Sequence, residues 1–408
     1  MHAQLSLTQC YELARTNYPL IKQYGLIEQT EWYNLSNVAK GWLPQLSVNV
    51  KASYQSDVTK LPFDVNRISA LIPGFNIPTL SKDQYQAVAE LTQTVWDGGM
   101  ISSTRELSRA QATAERAQLE SDLYNLNERV NQLYFGCLLQ GELLHQNILL
   151  QKELQVNIDK VTSMMLNGVA NQSDKESLEV ELLNARQRAT ELTAGRKAYL
   201  SMLGALIGKP LNESFALQVP TMPGNTLSTS INRPELQALE ARSNLMEIQN
   251  KQLDAGLMPR IGLFVQGGYG RPGLNMLENS FNPFYVAGIR LSWNLGRFYT
   301  LKNDRRKVET SKRTIDVQRE TFLFNTSLHL IQQNTEIQKM NDLLQTDDEI
   351  VRLRNSIKEA AEVKLANGVI SVTDLIREIN AEDMARQTVA IHRIQQLMAI
   401  CNYMYTTN

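Results

Sequence analysis

The side chains that could do chemistry in this 408-residue sequence are few and scattered. His2, His145, His329 and His392 lie far apart, with no nucleophile motif or metal-ligand spacing beside them. The last three read as surface or helix-seam residues. Cys10, Cys137 and Cys401 are an odd, widely spaced set on helix-patterned positions, so they read as buried free thiols rather than a disulfide framework or metal site. Gly267-Gly268-Tyr269-Gly270 has the glycines of a phosphate loop but lacks its Lys-Ser/Thr and following helix, and reads as a strand end. Asp347-Asp348 reads as a solvated helix surface. The expectation is therefore no enzyme, no metal and no cofactor. Two acids stand apart from this scatter because each follows a glycine turn. Asp174 lies five residues beyond the Val of Asn167-Gly168-Val169, and Asp374 five beyond that of Asn367-Gly368-Val369.

Composition narrows the classes further. A formal charge of -1 and the lack of a basic cluster argue against a nucleic-acid partner. No apolar run reaches the roughly 18 residues of a membrane-spanning helix, so any membrane insertion must use strands. His2-Ala3-Gln4 could be the tail of a signal-peptide cleavage site, but the apolar segment of such a peptide does not precede it. Cys10 falls inside the first helical pattern, which argues against a lipid-bearing N-terminus.

The two glycine turns belong to a duplication. Leu43-Pro44 and Met258-Pro259 each open an alternating run, and Trp96 and Trp293 each close a hairpin, the first hairpin with the longer loop. The order in each half is helix, strand, loop, strand, long helix, glycine turn, helix. The first repeat spans 1–208: helix 5–41, strands 44–56 and 84–97, helix 99–166 and helix 171–208. A linker at 209–232 admits a short strand at Phe215 to Val219. The second repeat spans 233–408: helix 234–257, strands 259–270 and 284–295, helix 298–366 and helix 371–406.

Each strand alternates. Leu46, Val48, Val50, Ala52 and Tyr54 oppose Ser47, Asn49, Lys51, Ser53 and Gln55, and Tyr285, Ala287, Ile289 and Leu291 oppose Gly288, Arg290 and Ser292. The second and third strands follow suit, with Phe264 as the exception. A soluble half-buried sheet gives the same alternation. Two features favour a membrane barrel: strands of about ten residues, and aromatics sorted by end. Trp42, Trp96 and Trp293 fall at the helix-proximal ends; Tyr54, Tyr85, Tyr269 and Tyr285 fall at the loop-proximal ends. Four strands are too few to close a barrel, for which about eight is the minimum, and open edges have no hydrogen-bond partners in lipid. Several copies must therefore share one barrel.

The helical pattern points the same way. Leu119, Leu123, Leu126, Val130, Leu133 and Cys137 step by four and three, in a segment that would span roughly 100 Å. Ile350, Leu353, Ile357 and Ala360 repeat that stepping in the second long segment. Such a rod needs lateral neighbours, and a ring of helices around a tunnel is the simplest closed arrangement.

The motifs Ala14-x-x-Asn17-Tyr18-Pro19, Leu43-Pro44-Gln45-Leu46, Gln93-Thr94-Val95-Trp96-Asp97-Gly98-Gly99 and Arg233-Pro234-Glu235-Leu236, with the two Gly-Val turns, resemble the TolC family of outer-membrane efflux channels from end to end of the chain. The resemblance implies a homotrimer with a 12-stranded β-barrel in the outer membrane of a Gram-negative bacterium, continuous with an α-helical barrel in the periplasm. It implies a passive exit duct of a tripartite efflux pump, whose partners are a periplasmic adaptor (membrane fusion) protein, an inner-membrane transporter reached through it, and outer-membrane lipid. A type I protein-secretion duct is the alternative within the family, and a soluble coiled-coil scaffold the alternative outside it.

By the same resemblance the helix-turn-helix tips form the periplasmic entrance and meet the adaptor, through Leu166, Asn167, Gly168 and Val169 and through Asn367, Gly368 and Val369. Ser173 and Ser371 stand where hydroxyls can cap the returning helices. Asp174 and Asp374 satisfy the helix dipoles, and Asp374 repeated around a threefold axis would also make an acidic ring. The chain departs from the family pattern at the gate. Arg377, with Glu378 beside it, stands where a second acid is expected, and Leu365 and Ile370 stand where Tyr and Arg are expected. A closed entrance would be held by other contacts.

Overall fold

The computed structural model describes residues 4–59, 80–221 and 230–408. The longer loop expected in the first hairpin, the cleavage-site tail at His2-Ala3 and residues 222–229 of the linker lie outside the described residues. The chain divides into two compact units, residues 1–24, 116–239 and 316–408 in one and residues 25–115 and 240–315 in the other.

The elements in chain order are α1 (Leu7–Asn17), α2 (Gln23–Ala39), β1 (Gln45–Tyr54), β2 (Asp83–Trp96), α3 (Met100–Tyr124), α4 (Leu126–Leu166), α5 (Gln172–Ile207), α6 (Pro234–Ala255), β3 (Arg260–Arg271), β4 (Asn282–Ser292), α7 (Arg297–Ala366) and α8 (Val372–Thr407). The molecule is mainly helical with one small sheet. No helix among the described residues is long and apolar enough to cross a membrane.

Three expectations about single elements need correction. Residues 5–41 are not one helix. Ser6 and Gln9 form a capping box that starts α1, and α1 stops at Asn17 because Tyr18 precedes Pro19 and takes an extended backbone. Pro19 then opens a short 3-10 turn ahead of α2. Residues 99–166 are interrupted at Asn125, whose side chain accepts from the Tyr405 hydroxyl at 3.2 Å. Residues 215–219 form no strand; Leu217 makes a single parallel bridge to Leu5, next to the capped start of α1.

In the first unit the core gathers α1, α4, α5 and α8. Cys10, Ala14, Val130, Tyr134 and Leu203 are fully buried there with Cys137 and Ile394. The Tyr134 hydroxyl lies within hydrogen-bonding reach of the Leu5 and Gln218 carbonyls, which share its single hydrogen, and so pins the linker to the helices. Cys10 and Cys137 are buried, Cys401 is half-buried, and all three are free thiols. Arg233, just before α6, inserts its guanidinium among the rings of Tyr124, Phe322 and Tyr405 and pairs with Glu235.

In the second unit the four strands pair antiparallel in the order β1-β2-β3-β4. The register puts Leu46 opposite Leu91, Leu91 opposite Val265, and Val265 opposite Ala287, so one face of all four strands is apolar. Asp97 ends β2 and starts α3. Its two carboxylate oxygens accept from the Gly99 and Ile101 amides at 2.9 and 2.5 Å, a dipole-favoured N-terminal acid.

Candidate functional site

Each helix-turn-helix tip is built from the same two local devices. At the first, the Val169 amide donates to the Met164 carbonyl and the Gly168 amide to that of Met165; at the second, Val369 donates to Lys364 and Gly368 to Leu365. This is the double bond pattern that ends a helix on a left-handed residue, and Gly168 and Gly368 supply it with φ of 74 and 70°. The returning helices start on capping boxes. Asn171 exchanges bonds with Asp174, and Ser371 with Asp374. Asn171, not Ser173, is thus the cap of α5; Ser173 is the second residue of the helix, two positions past the cap, and its hydroxyl donates to the Asn171 side chain instead.

The tips expose apolar side chains where the chain reverses. Leu166 is 82% exposed, with Val169 and Val369 also outside. Asn167 and Asn367 are exposed but fold back on their own helices, each side-chain amide donating to a carbonyl one turn earlier, those of Ser163 and Val363. Asp374 is held below the usual carboxylate range by bonds from the Ser371 hydroxyl and amide, and Arg377 stands 3.6 Å away. Arg377 also reaches Glu378 at 3.3 Å, and Glu378 faces Arg354 at 3.6 Å. Asp374 and Glu378 are therefore both partly neutralised within one chain.

Leu365 does not stand free. It is buried with Leu154, Ile158 and Val161 of α4, Leu178 and Leu182 of α5 and Leu375 and Ile379 of α8, with Ile370 packed against this cluster. One apolar core thus joins the first tip to the second. Above it lies a polar tie that the sequence reading missed. The Lys358 ammonium is buried at 2.6 Å from Glu153 and 3.8 Å from Glu382, and Glu382 also pairs with Arg386. Nearer the turns, Lys160 meets Glu362 at 2.7 Å. Charged residues on partly apolar helix faces were the available signal, but their partners lie in the other half of the chain.

The sheet is the second candidate surface. Its apolar face lies open: Leu46, Val48, Val50, Tyr54, Tyr285, Ile289 and Leu291 are each 65% or more exposed. Tyr85, Tyr269, Trp42, Trp96 and Trp293 are exposed with them. The Trp293 ring nitrogen donates to the Leu257 carbonyl at 2.8 Å, tying the end of β4 to the helix-proximal side. The outer edges of β1 and β4 carry no strand partner among the described residues. Among those residues no group of His, Cys, Asp and Glu is placed to hold a metal ion.

Comparison with known proteins bears out the resemblance drawn from the motifs. Residues 228–400 match the outer membrane efflux protein family. No curated protein matches the chain. Among solved structures, CusC aligns at a TM-score of 0.69 with 16% identity, covering 100% of this chain and 93% of its own. VceC, an outer membrane protein of Vibrio cholerae, aligns at 0.67 with 13% identity, covering 98% of this chain and 95% of its own. The open state of the Neisseria gonorrhoeae MtrE outer membrane channel aligns at 0.66 with 14% identity, covering 98% of this chain and 88% of its own. At these identities the likeness is one of fold. The matched family and structures are channels and not enzymes.

Proposed function

We propose that this relative of the outer-membrane efflux proteins is one subunit of a homotrimeric exit duct. In this reading each chain lends its four strands to a 12-stranded barrel in the outer membrane, and its two repeats, 1–208 and 233–408, lend coiled coils to a periplasmic helical barrel. The duct conducts substrates passively from a periplasmic adaptor and an inner-membrane transporter to the exterior.

The observation that carries the reading is the open apolar face of a sheet whose two edges are unpaired. In water, a face with Val50 at 78% and Ile289 at 73% exposure would drive aggregation. In a bilayer the face meets hydrocarbon, and pairing β4 of one copy with β1 of the next removes the edges. Trp42, Trp96 and Trp293 then form one interfacial girdle and Tyr54, Tyr85, Tyr269 and Tyr285 the other.

The turns at Leu166–Val169 and Asn367–Val369 are the adaptor contacts, since they expose apolar side chains on rigid, doubly bonded reversals. Asp174, Asp374, Arg377, Glu378, Leu365 and Ile370 surround the entrance. Its resting state is held by the shared apolar core around Leu365 and by the Lys358–Glu153 and Lys160–Glu362 pairs, in place of tyrosine and arginine links. Expression with fractionation tests the whole: the chain should pellet with outer membrane and leave it only in detergent, as a species three times the monomer mass. A detergent-independent soluble monomer would leave the coiled-coil scaffold as the better account.

A further inference from the structure

The other face of the sheet carries a charge pattern that the exit-duct reading does not use. By register, the strand residues Lys51, Glu90, Arg260 and Arg290 share this polar face, three bases against one acid. Two of the bases sit together at the helix-proximal ends, Arg260 opposite Ser292 and Arg290 opposite Gly262. Arg290 lays its guanidinium over the ring of Phe264, 4.5 Å from its centre, and reaches across β3 to Glu90 at 2.7 Å. Phe264 can lie there because Gly288 is beside it; a Cβ at 288 would stand 3.1 Å from the ring. Arg260 is exposed and forms no ion pair among the described residues. Asp97, the acid that lines the same hollow, is spent on the amides at the start of α3. Arg260, Arg290, Phe264 and Asp97 line one concavity of about 390 Å³.

We infer that this concavity sets the charge preference of the conduit, favouring anionic cargo at the base of the barrel. The inference rests on the reading that the polar face lines a shared lumen. Three copies bring six guanidiniums and three Glu90 carboxylates to one level, and a guanidinium stays charged at any relevant pH. A surplus of one sign on low-dielectric walls concentrates counter-ions, and rings of arginine select anions in pores. The Arg290–Glu90 pair is nearly neutral and also clasps β2 to β4, so Arg260 supplies the unbalanced charge.

The test is the reversal potential of purified trimers in a planar bilayer under a tenfold KCl gradient. The wild type should favour chloride, Arg260→Gln should lose most of that preference, and Arg260→Glu should favour potassium. Arg290→Gln should shift the potential less, because it also frees Glu90. If Arg260→Glu channels keep the unitary conductance and the wild-type reversal potential, the inference is wrong while the duct stands. If wild-type trimers give no unitary conductance at all, the duct reading falls and takes this inference with it.

Discussion

Lys358 on α7 and Glu153 on α4 meet at 2.6 Å with the ammonium 9% exposed, so an ion pair with a buried cation ties together two long helices that are far apart in the sequence. Removing one partner of such a pair leaves the other charge desolvated, which costs about 3–5 kcal/mol. Lys358→Ala should therefore lower the urea midpoint of the detergent-solubilised protein sharply. The double change Lys358→Met with Glu153→Leu should recover most of the loss while still raising resting conductance. A double variant as closed as the wild type would remove the pair from the gate.

At the tips, a left-handed backbone costs a non-glycine residue about 1–2 kcal/mol and is closed to proline, whose φ is fixed near −65°. Gly168→Pro and Gly368→Pro should leave trimers intact, because a side chain at either glycine has no packed neighbour within 4 Å to disturb. Transport should be lost in each, since the adaptor contacts proposed for the apolar turn residues would be displaced. Full efflux in both variants would detach the tips from docking.

The pH response of the coil should come from Asp383. It is pushed up to about 6, chiefly by burial, with Glu382 and Glu153 adding repulsion and the Gln387 bond and Arg386 opposing. The folded state thus keeps a proton that an unfolded aspartate releases near pH of about 4. This stabilisation is complete below about 4 and is lost as the pH rises through about 6. Asp383→Asn should flatten the denaturation midpoint across that window, measured against the wild type in the same detergent. Parallel curves for the two proteins would refute the assignment.

A charge on the apolar face separates the membrane reading from a soluble sheet. Val50 lies mid-strand opposite Ala87, and a lysine there should cost about 2–4 kcal/mol at the bilayer midplane. Val50→Lys should refold poorly into vesicles, whereas Asn49→Lys on the other face should refold as the wild type does. Equal yields for the two would count against a lipid-facing surface.

Most of the fold was legible because its signals are local. Period-two alternation marks β1 to β4, heptad stepping marks α4 and α7, and glycine with an acid six residues on marks each tip. The break at Tyr18 was also written in Pro19, though the longer apolar pattern masked it. The capping role of Asn171 was open to the same reading, since a cap is defined by its spacing from Asp174.

What the sequence determined by itself was therefore the order of the main elements, the two-faced strands and the glycine reversals at the tips, though not the breaks at Tyr18 and Asn125. Those follow from one residue's effect on its near neighbours. The tertiary structure alone decided which distant charges meet. Lys358 finds Glu153, Arg290 finds Glu90 across an intervening strand, and Arg233 finds the rings of Tyr124, Phe322 and Tyr405. Such pairs depend on strand register and helix rotation, which many residues fix together, so no local spacing announces them.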